Sequence, residues 1–160
     1  MVKNSKNLLI KFIFFVSIIA LVSAFFIEYI LGHQPCNLCI LERIPYFLAI
    51  IVILLNYKFI EFEKFFILFL TIIFLFGTVL SLYHLGIEQG LIQESLVCDL
   101  KSGSNLLSKE EILKQLQEKS VSCKDVTFKM FGLSLTSYNI LISILITFSA
   151  GKIYFNYDKN

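Results

Sequence analysis

Four long apolar stretches divide the chain, and polar or charged residues separate them. Residues 12–27, 65–83 and 130–151 contain no charged side chain, and residues 44–55 form a shorter run of the same kind. An α-helix rises about 1.5 Å per residue, so a run of about nineteen residues is nearly as long as a hydrocarbon core is thick. The pattern predicts four transmembrane helices, at about residues 10–31, 40–56, 65–85 and 131–151.

The second stretch has an alternative, because twelve apolar residues could form a buried or re-entrant element. A helix that begins near Cys39 reaches spanning length and leaves Arg43 at the interface, where its long side chain reaches water. Lys58 and Lys64 follow the stretch on its far side, as interfacial anchors do. We therefore predict a transmembrane span here.

The first stretch could also be a cleaved signal peptide, since Lys3, Lys6 and Lys11 precede it and the sequence "VSA" occupies residues 22–24. The apolar run continues to Leu31, however, which favours an uncleaved helix.

Composition supports a membrane protein: 57% of the 160 residues are hydrophobic and only 16% are charged. The net charge of +2 and the absence of a basic aromatic patch give no indication of nucleic-acid binding. We predict one domain over residues 1–160, an all-α bundle of four transmembrane helices in a lipid bilayer.

Charge alone leaves the orientation open, because each side of the membrane would carry seven of the fourteen lysine and arginine residues. Lysines at the first helix usually dominate, which predicts both termini in the cytoplasm. The connections at residues 32–39 and 86–130 then lie outside.

All four cysteines fall in these two connections: Cys36 and Cys39 in the first, Cys98 and Cys123 in the second. An even number in one compartment is typical of disulfides, which persist on the oxidising side and, in bacteria, in the periplasm. A structural bridge between Cys98 and Cys123 would contribute about 3–4 kcal/mol through loop entropy. A bridge across two residues constrains little, so the C-x-x-C pair is more typical of redox activity or metal binding. Zinc would need further close ligands, and we predict no metal.

Pro35 suits the first turn of a helix that begins near Cys36. The positive end of that helix would stabilise a thiolate. Arg43 follows Cys39 by four residues, on the same helix face, and would lower the pKa of Cys39 further. The alternative for Arg43 is an interfacial anchor paired with Glu42.

Three segments together resemble the disulfide bond formation protein B (DsbB) family of bacterial inner-membrane, quinone-dependent oxidases. They are "PCNLCILER", "LYHLGIEQG" and "SCKDVTFKMFGLSLTSYN", which begin at residues 35, 82 and 122. The match covers nearly the whole chain, with Phe128 at a position that is often tryptophan in the family. The resemblance implies that a reduced periplasmic thioredoxin-fold oxidase of the DsbA type attacks Cys98. Cys123 would be the disulfide partner of Cys98 and would exchange with Cys36.

The resemblance further implies that Cys39 faces ubiquinone or menaquinone, with Arg43 polarising the quinone. His84 would line the quinone pocket, although a histidine at a helix end is more often an interfacial residue. Glu88 is expected to be a solvated loop carboxylate. Within the long loop, Ser108 and Glu111 form a capping-box pattern that predicts a short amphipathic helix, packed on its own loop or resting on the membrane.

Two other functions remain open. A vitamin K epoxide reductase-like enzyme also joins a C-x-x-C pair to quinone, but its usual C-x-x-C follows the loop pair, the reverse of the order here. A four-helix scaffold or small transporter with structural disulfides would need no function for Arg43.

Overall fold

A computed structural model of the chain describes residues 2–93, 98, 122–124, 129–130 and 132–157. The helix predicted in the long loop lies outside these residues, as does Phe128. The elements run in the order α1 (Val2–Tyr29), α2 (Asn37–Leu41), α3 (Ile44–Lys58), a 3₁₀ turn (Ile60–Phe62), α4 (Glu63–Glu88), β1 (Lys129–Met130), β2 (Leu133–Ser134) and α5 (Leu135–Phe155).

Four segments are long and apolar enough to cross a membrane: Lys6–Tyr29, Asn37–Lys58, Ile60–Glu88 and Leu135–Phe155. The predicted four-helix membrane architecture is confirmed. Large apolar side chains face outward along these segments; Phe12, for example, is 56% exposed and Phe148 is 72% exposed. Such a surface is stable in acyl chains and costly in water.

The second span combines α2 and α3. Glu42 and Arg43 join them and keep right-handed helical dihedral angles, so the chain continues in nearly the same direction. Pro45 occupies the first turn of α3, where its missing N–H costs no hydrogen bond. The span thus reaches the length that the shorter apolar run alone did not supply.

The fourth span begins later than predicted, at Leu135 rather than near residue 131. Lys129 pairs with Ser134 in a two-stranded antiparallel hairpin, and Gly132 takes a positive φ of 83° in its turn. Glycine adopts this conformation without strain. The Ser134 side chain then caps α5 by accepting a hydrogen bond from the Ser137 N–H.

Helix α4 packs most extensively against α5 and also against α3. A Cβ atom at Gly77 would lie 3.2 Å from Cγ of Pro45, so glycine allows α3 and α4 to approach closely here. The main core lies below this point and includes Phe74, whose ring packs edge-on against Tyr46. This packing fixes the relative positions of α3, α4 and α5.

Both described ends of the chain lie at one end of the bundle, which we call the terminal end. Lys6 of α1 pairs with Glu63 of α4 at 2.5 Å, and Tyr157 donates a hydrogen bond to the same Glu63 carboxylate at 3.1 Å. Since the helices alternate in direction, the connections that carry the cysteines meet at the opposite, cysteine end.

Candidate functional site

Cys36 and Cys39 occupy the start of α2. Cys36 is the N-cap residue, and its Sγ accepts a hydrogen bond from the Cys39 backbone N–H at 3.3 Å. The two Sγ atoms lie 2.7 Å apart, and both cysteines are free thiols. The predicted helix start at the C-x-x-C pair is therefore confirmed, with the positive end of α2 at the sulfur atoms.

The side chain of His84, on α4, contacts Cys36. Its Nε2 lies 3.5 Å from Cys36 Sγ, and its side chain is almost completely buried. The hydrogen bond from the Cys39 thiol and the contact with His84 lower the pKa of Cys36 to about 5, against the opposing effect of burial. In the reduced pair the structure thus favours a thiolate at Cys36. A thiolate at Cys39, which we predicted for the residue that faces the quinone, stays a prediction.

A buried carboxylate orients His84. Glu42, in the junction between α2 and α3, lies with Oε1 2.8 Å from His84 Nδ1. Its other oxygen accepts a hydrogen bond from Asn139 of α5 at 3.0 Å. Asn139 in turn contacts Ser81 at 2.7 Å and accepts a hydrogen bond from the Tyr46 hydroxyl. Three helices therefore contribute to one polar network beneath the sulfur atoms.

The expectation for Glu88 was wrong. Glu88 is the last residue of α4 rather than a loop residue, and its side chain is only 9% exposed. The Thr136 hydroxyl donates a hydrogen bond to Glu88 Oε1 at 2.7 Å, and the same oxygen lies 3.8 Å from His84 Nε2. The i,i+4 spacing of His84 and Glu88 on one helix face brings the carboxylate to the site.

Arg43 lines the same region, but its partner is not Glu42. Its Nη1 donates to Glu28 of α1 at 2.5 Å, and its guanidinium lies over the Phe25 ring at 5.2 Å from the ring centre. Arginine is thus held between α1 and the start of α3. Its role toward a quinone stays a prediction.

Cys98 and Cys123 form a disulfide with a Cα–Cα distance of 6.0 Å, the pairing that the resemblance implies. Both lie buried in one cluster with Cys36, and Cys39 packs against that cluster. Asn37, which follows Cys36, donates a hydrogen bond to the Cys98 carbonyl at 3.1 Å. The structure therefore brings together all four cysteines that the sequence singled out.

A cavity of about 510 Å³ opens beside the cysteines. Polar residues of the cysteine end line part of it, among them Cys36, Cys39, Cys123, Arg43, His84 and Glu42. Apolar side chains of α1 and α5, among them Val16, Ile27 and Ile142, line the rest. A site that is mostly apolar, with a few convergent polar groups, suits a ligand that has a flat ring with carbonyl oxygens and an apolar tail. The residues present therefore fit a quinone.

Cys36 Sγ, Cys39 Sγ and a ring nitrogen of His84 all lie within 4.8 Å of one another, closer than the sequence spacing suggested. A structural zinc site takes four protein ligands, and this group has three atoms. The absence of a metal stays a prediction.

The geometry agrees with what the comparisons with known proteins find. The family described as "Disulfide bond formation protein DsbB" matches residues 6–152. The chain belongs to the DsbB family. An uncharacterized protein of Rickettsia prowazekii (strain Madrid E) is 33% identical over 150 residues, which cover 91% of this chain and 85% of that protein. No solved structure matches the chain significantly.

Membership in the DsbB family makes the chain a multi-pass membrane protein of disulfide bond formation. Sequence reasoning found the four cysteines, Arg43 and His84, but assigned no site role to Glu28, Glu42, Glu88 or Asn139. One signal was available, because ionisable residues within membrane segments are rare and usually mark function. Glu28 and Glu42 both carried that signal.

Proposed function

We propose that this protein reoxidises a periplasmic thioredoxin-fold thiol oxidase of the DsbA type and passes the electrons to ubiquinone or menaquinone. The Cys98–Cys123 pair would face the partner, and the Cys36–Cys39 pair would face the quinone. One observation carries the proposal: Cys36, Cys98 and Cys123 pack in a single buried cluster that Cys39 also contacts. Sulfur atoms must approach each other directly for thiol–disulfide exchange, and this cluster provides that proximity.

Each exchange step moves one pair of bonding electrons between sulfur atoms. A thiolate of the reduced partner attacks Cys98, a mixed disulfide forms, and Cys123 leaves as a thiolate. Cys123 then attacks Cys36 of an oxidised Cys36–Cys39 pair, and Cys39 leaves in its turn. The second thiolate of the partner attacks its own sulfur in the mixed disulfide, which oxidises the partner and releases Cys98 as a thiolate. Exchange is faster when the leaving sulfur is stabilised as a thiolate. The position of Cys39 near the positive end of α2 favours its departure.

A bound quinone would supply the electron acceptor, taking up two electrons and two protons from the dithiol. Arg43 is the residue of this chain that we assign to the quinone carbonyl, because Arg43 lines the cavity and an arginine side chain keeps its charge in proteins. Glu28 holds Arg43 there through their ion pair. The apolar side chains of α1 exclude water from the same space.

Location follows from the same chemistry. We place the protein in the bacterial inner membrane, with the cysteine end in the periplasm and both termini in the cytoplasm. The oxidising compartment is the one in which a disulfide such as Cys98–Cys123 persists. Labelling with a membrane-impermeant thiol reagent tests this orientation. In intact cells treated with a reductant, Cys98 and Cys123 should both be labelled from outside. If either cysteine were labelled only after the cells are lysed, the orientation would be wrong.

The proposal is tested by mixing purified protein with a reduced thioredoxin-fold partner and a quinone, and following quinone reduction. We expect wild type to turn over and Cys39→Ala to fall to the uncatalysed rate, because no thiol then faces the acceptor. Turnover of quinone by Cys39→Ala at the wild-type rate would contradict the proposal. A membrane scaffold or transporter, the alternative, would show no turnover even in wild type.

The partner is identified by trapping. Cys123→Ala leaves Cys98 as a free thiol, whose thiolate can attack the disulfide of an oxidised partner and release one partner cysteine as a thiolate. Since Cys123 is absent and cannot resolve the mixed disulfide between Cys98 and the partner, this species should accumulate and can be identified by mass spectrometry. Recovery of the partner on Cys36 instead would contradict the assigned order of exchange.

A further inference from the structure

Glu42 requires an explanation that disulfide exchange alone does not give. Its side chain is about 10% exposed, and it lies in a membrane-spanning segment. A buried carboxylate is costly unless it is paired and hydrogen-bonded. Glu42 is fully engaged, by His84 on one oxygen and by Asn139 on the other. Structural needs alone would be met at lower cost by apolar residues.

The contacts of Glu42 lead directly to a reactive atom. Its Oε1 lies 2.8 Å from His84 Nδ1, and His84 Nε2 lies 3.5 Å from Cys36 Sγ. An acid that orients a histidine, which in turn faces a nucleophile, is the arrangement that activates nucleophiles in many unrelated enzymes. Here three parts of the sequence supply it: the N-cap of α2, the junction before α3, and a position one turn before the end of α4.

We propose that Cys36, His84 and Glu42 act as a nucleophile–base–acid triad, in which His84 is a catalytic acid–base for the Cys36 sulfur and Glu42 is the positioning residue that holds His84. Glu42 fixes the tautomer that carries hydrogen on Nδ1 and stabilises the imidazolium that forms. The inference rests on the proposed function, because it explains how Cys36 takes part in the exchange.

The triad acts when Cys36 leaves a disulfide. In that step the Cys98 thiolate attacks Cys123 of a Cys36–Cys123 disulfide, the Cys98–Cys123 bond forms, and Cys36 departs with the bonding electron pair. The protonated His84 ring stabilises the departing sulfur at Nε2, so the step needs no further reactant. In the reverse direction, the neutral ring takes the proton of the Cys36 thiol and frees the thiolate for attack. A lower thiol pKa makes the sulfur a better leaving group.

Several other groups face the triad, and any pH dependence reflects all of them. Glu88 and Ser81 come from α4, Thr136 and Asn139 from α5, Cys39 from α2, and Tyr46 from α3. Among them Glu88 is the natural competitor for the role of Glu42. Its carboxylate lies 3.8 Å from Nε2, the nitrogen that faces sulfur, and it accepts the hydrogen bond of Thr136. Glu88 therefore adds charge beside the ring but does not set its tautomer.

The experiment measures the ionisation of Cys36 without partner or quinone. The full-length protein with Cys98→Ser and Cys123→Ser keeps only the C-x-x-C thiols, which are reduced and then alkylated with iodoacetamide over a range of pH. Mass spectrometry of the peptide reports the labelled fraction at Cys36 separately from that at Cys39. The pH midpoint of Cys36 labelling is compared in four backgrounds: wild type at residues 42, 84 and 88, Glu42→Gln, His84→Gln and Glu88→Gln.

We expect a midpoint near pH 5 in the first background, the value to which the contacts of Cys36 lower its pKa. Glu42→Gln should raise the midpoint by about 1–3 units. Without the Glu42 charge the imidazolium is less stable, and a neutral ring does not stabilise the Cys36 thiolate. His84→Gln should raise it at least as far. Glu88→Gln, the matched control, should change it less than Glu42→Gln does. Loss of packing alone would reduce the yield of folded protein without moving this midpoint.

Two results would overturn the triad. The first is a wild-type midpoint near about 8.5, the value of an ordinary cysteine, which needs no variant to fold. The second is a midpoint that stays the same in Glu42→Gln. Neither depends on turnover: a low midpoint in a protein that fails to reduce quinone would remove the proposed function only, whereas turnover with an ordinary midpoint would remove the triad only.

Discussion

At the terminal end of the bundle, Glu63 pairs with Lys6 and accepts a hydrogen bond from Tyr157. At the cysteine end, Glu28 pairs with Arg43 at the same 2.5 Å distance, while Glu42 pairs with His84. Both ends therefore use carboxylates to join helices that are distant in sequence. The contacts beyond each pair differ.

We call the contacts around Glu63 and the lysines at the terminal end the terminal cluster. In it the Lys6 ammonium also lies over the ring of Tyr157, and the Lys64 ammonium lies over the ring of Tyr154. These contacts join α1, α4 and α5 and lead to no reactive atom among the described residues. Glu42, in contrast, connects through His84 to the Cys36 sulfur, and Arg43 lines the cavity beside the cysteines. An ion pair in this bundle therefore indicates function only when its contacts lead to reacting atoms. Three pairs of matched substitutions test that distinction.

The largest effect should come from Arg43→Leu. Loss of the proposed charge-assisted hydrogen bond to the quinone carbonyl would cost about 1.5–3 kcal/mol, so kcat/KM for quinone should fall about 10–150-fold. Steady-state quinone reduction at several quinone concentrations gives this value. Lys6→Leu at the terminal end is the control, and its kcat/KM should equal that of wild type. Equal losses in both variants would remove the distinction between the two ends.

An intermediate effect should follow from Asn37→Ala. Asn37 holds the Cys98 carbonyl against α2, and a single hydrogen bond contributes about 0.5–1.5 kcal/mol. Transfer between the Cys98–Cys123 and Cys36–Cys39 pairs should therefore slow by about 2–10-fold. Rapid quenching with acid and mass spectrometry of the disulfides measures this rate.

Asn56→Ala is the matched control, because Asn56 is buried in the last turn of α3, toward the other end of the bundle. Its exchange rate should stay at the wild-type value. A slower rate in Asn56→Ala than in Asn37→Ala would mean that general packing, rather than the contact with Cys98, controls exchange.

The sequence was sufficient for the bundle because helix length and apolar composition are local properties. Residues 65–83 predict α4 within a few positions, since an uncharged run of that length has few alternatives. The start of α5 was harder to predict: the predicted span began at about residue 131, but Leu133–Ser134 pairs with Lys129–Met130 in a hairpin that Gly132 permits. Boundaries of this kind depend on pairing, which apolar patterns do not record.

The site divides in the same way. The sequence alone shows the spacing of Cys36 and Cys39 and the likeness to a family. It does not show the partner of Glu42, which lies 42 residues away, or that of Arg43, which lies 15 residues away. The sequence offered Glu42 as the nearest partner of Arg43, and the fold pairs both with other helices. Glu88 was misassigned for a related reason, because the end of an apolar run is not the end of a helix. Such pairings follow from helix packing and could not be read from spacing.

The smallest effect should come from Glu63→Gln. The pair with Lys6 is partly exposed, at 13% and 15% for the two side chains, and such pairs contribute about 0–1 kcal/mol to stability. In a chain of this size that is a decrease in Tm of at most about 4 °C, measurable by thermal unfolding in detergent. Glu28→Gln should lower Tm by a similar amount, because its pair with Arg43 is about as exposed. The two variants should separate only in kinetics: Glu28→Gln frees Arg43 and raises KM for quinone, whereas Glu63→Gln leaves KM unchanged. If Glu63→Gln raised KM as much as Glu28→Gln did, the terminal cluster would be coupled to the cavity, and the two ends would no longer be functionally distinct.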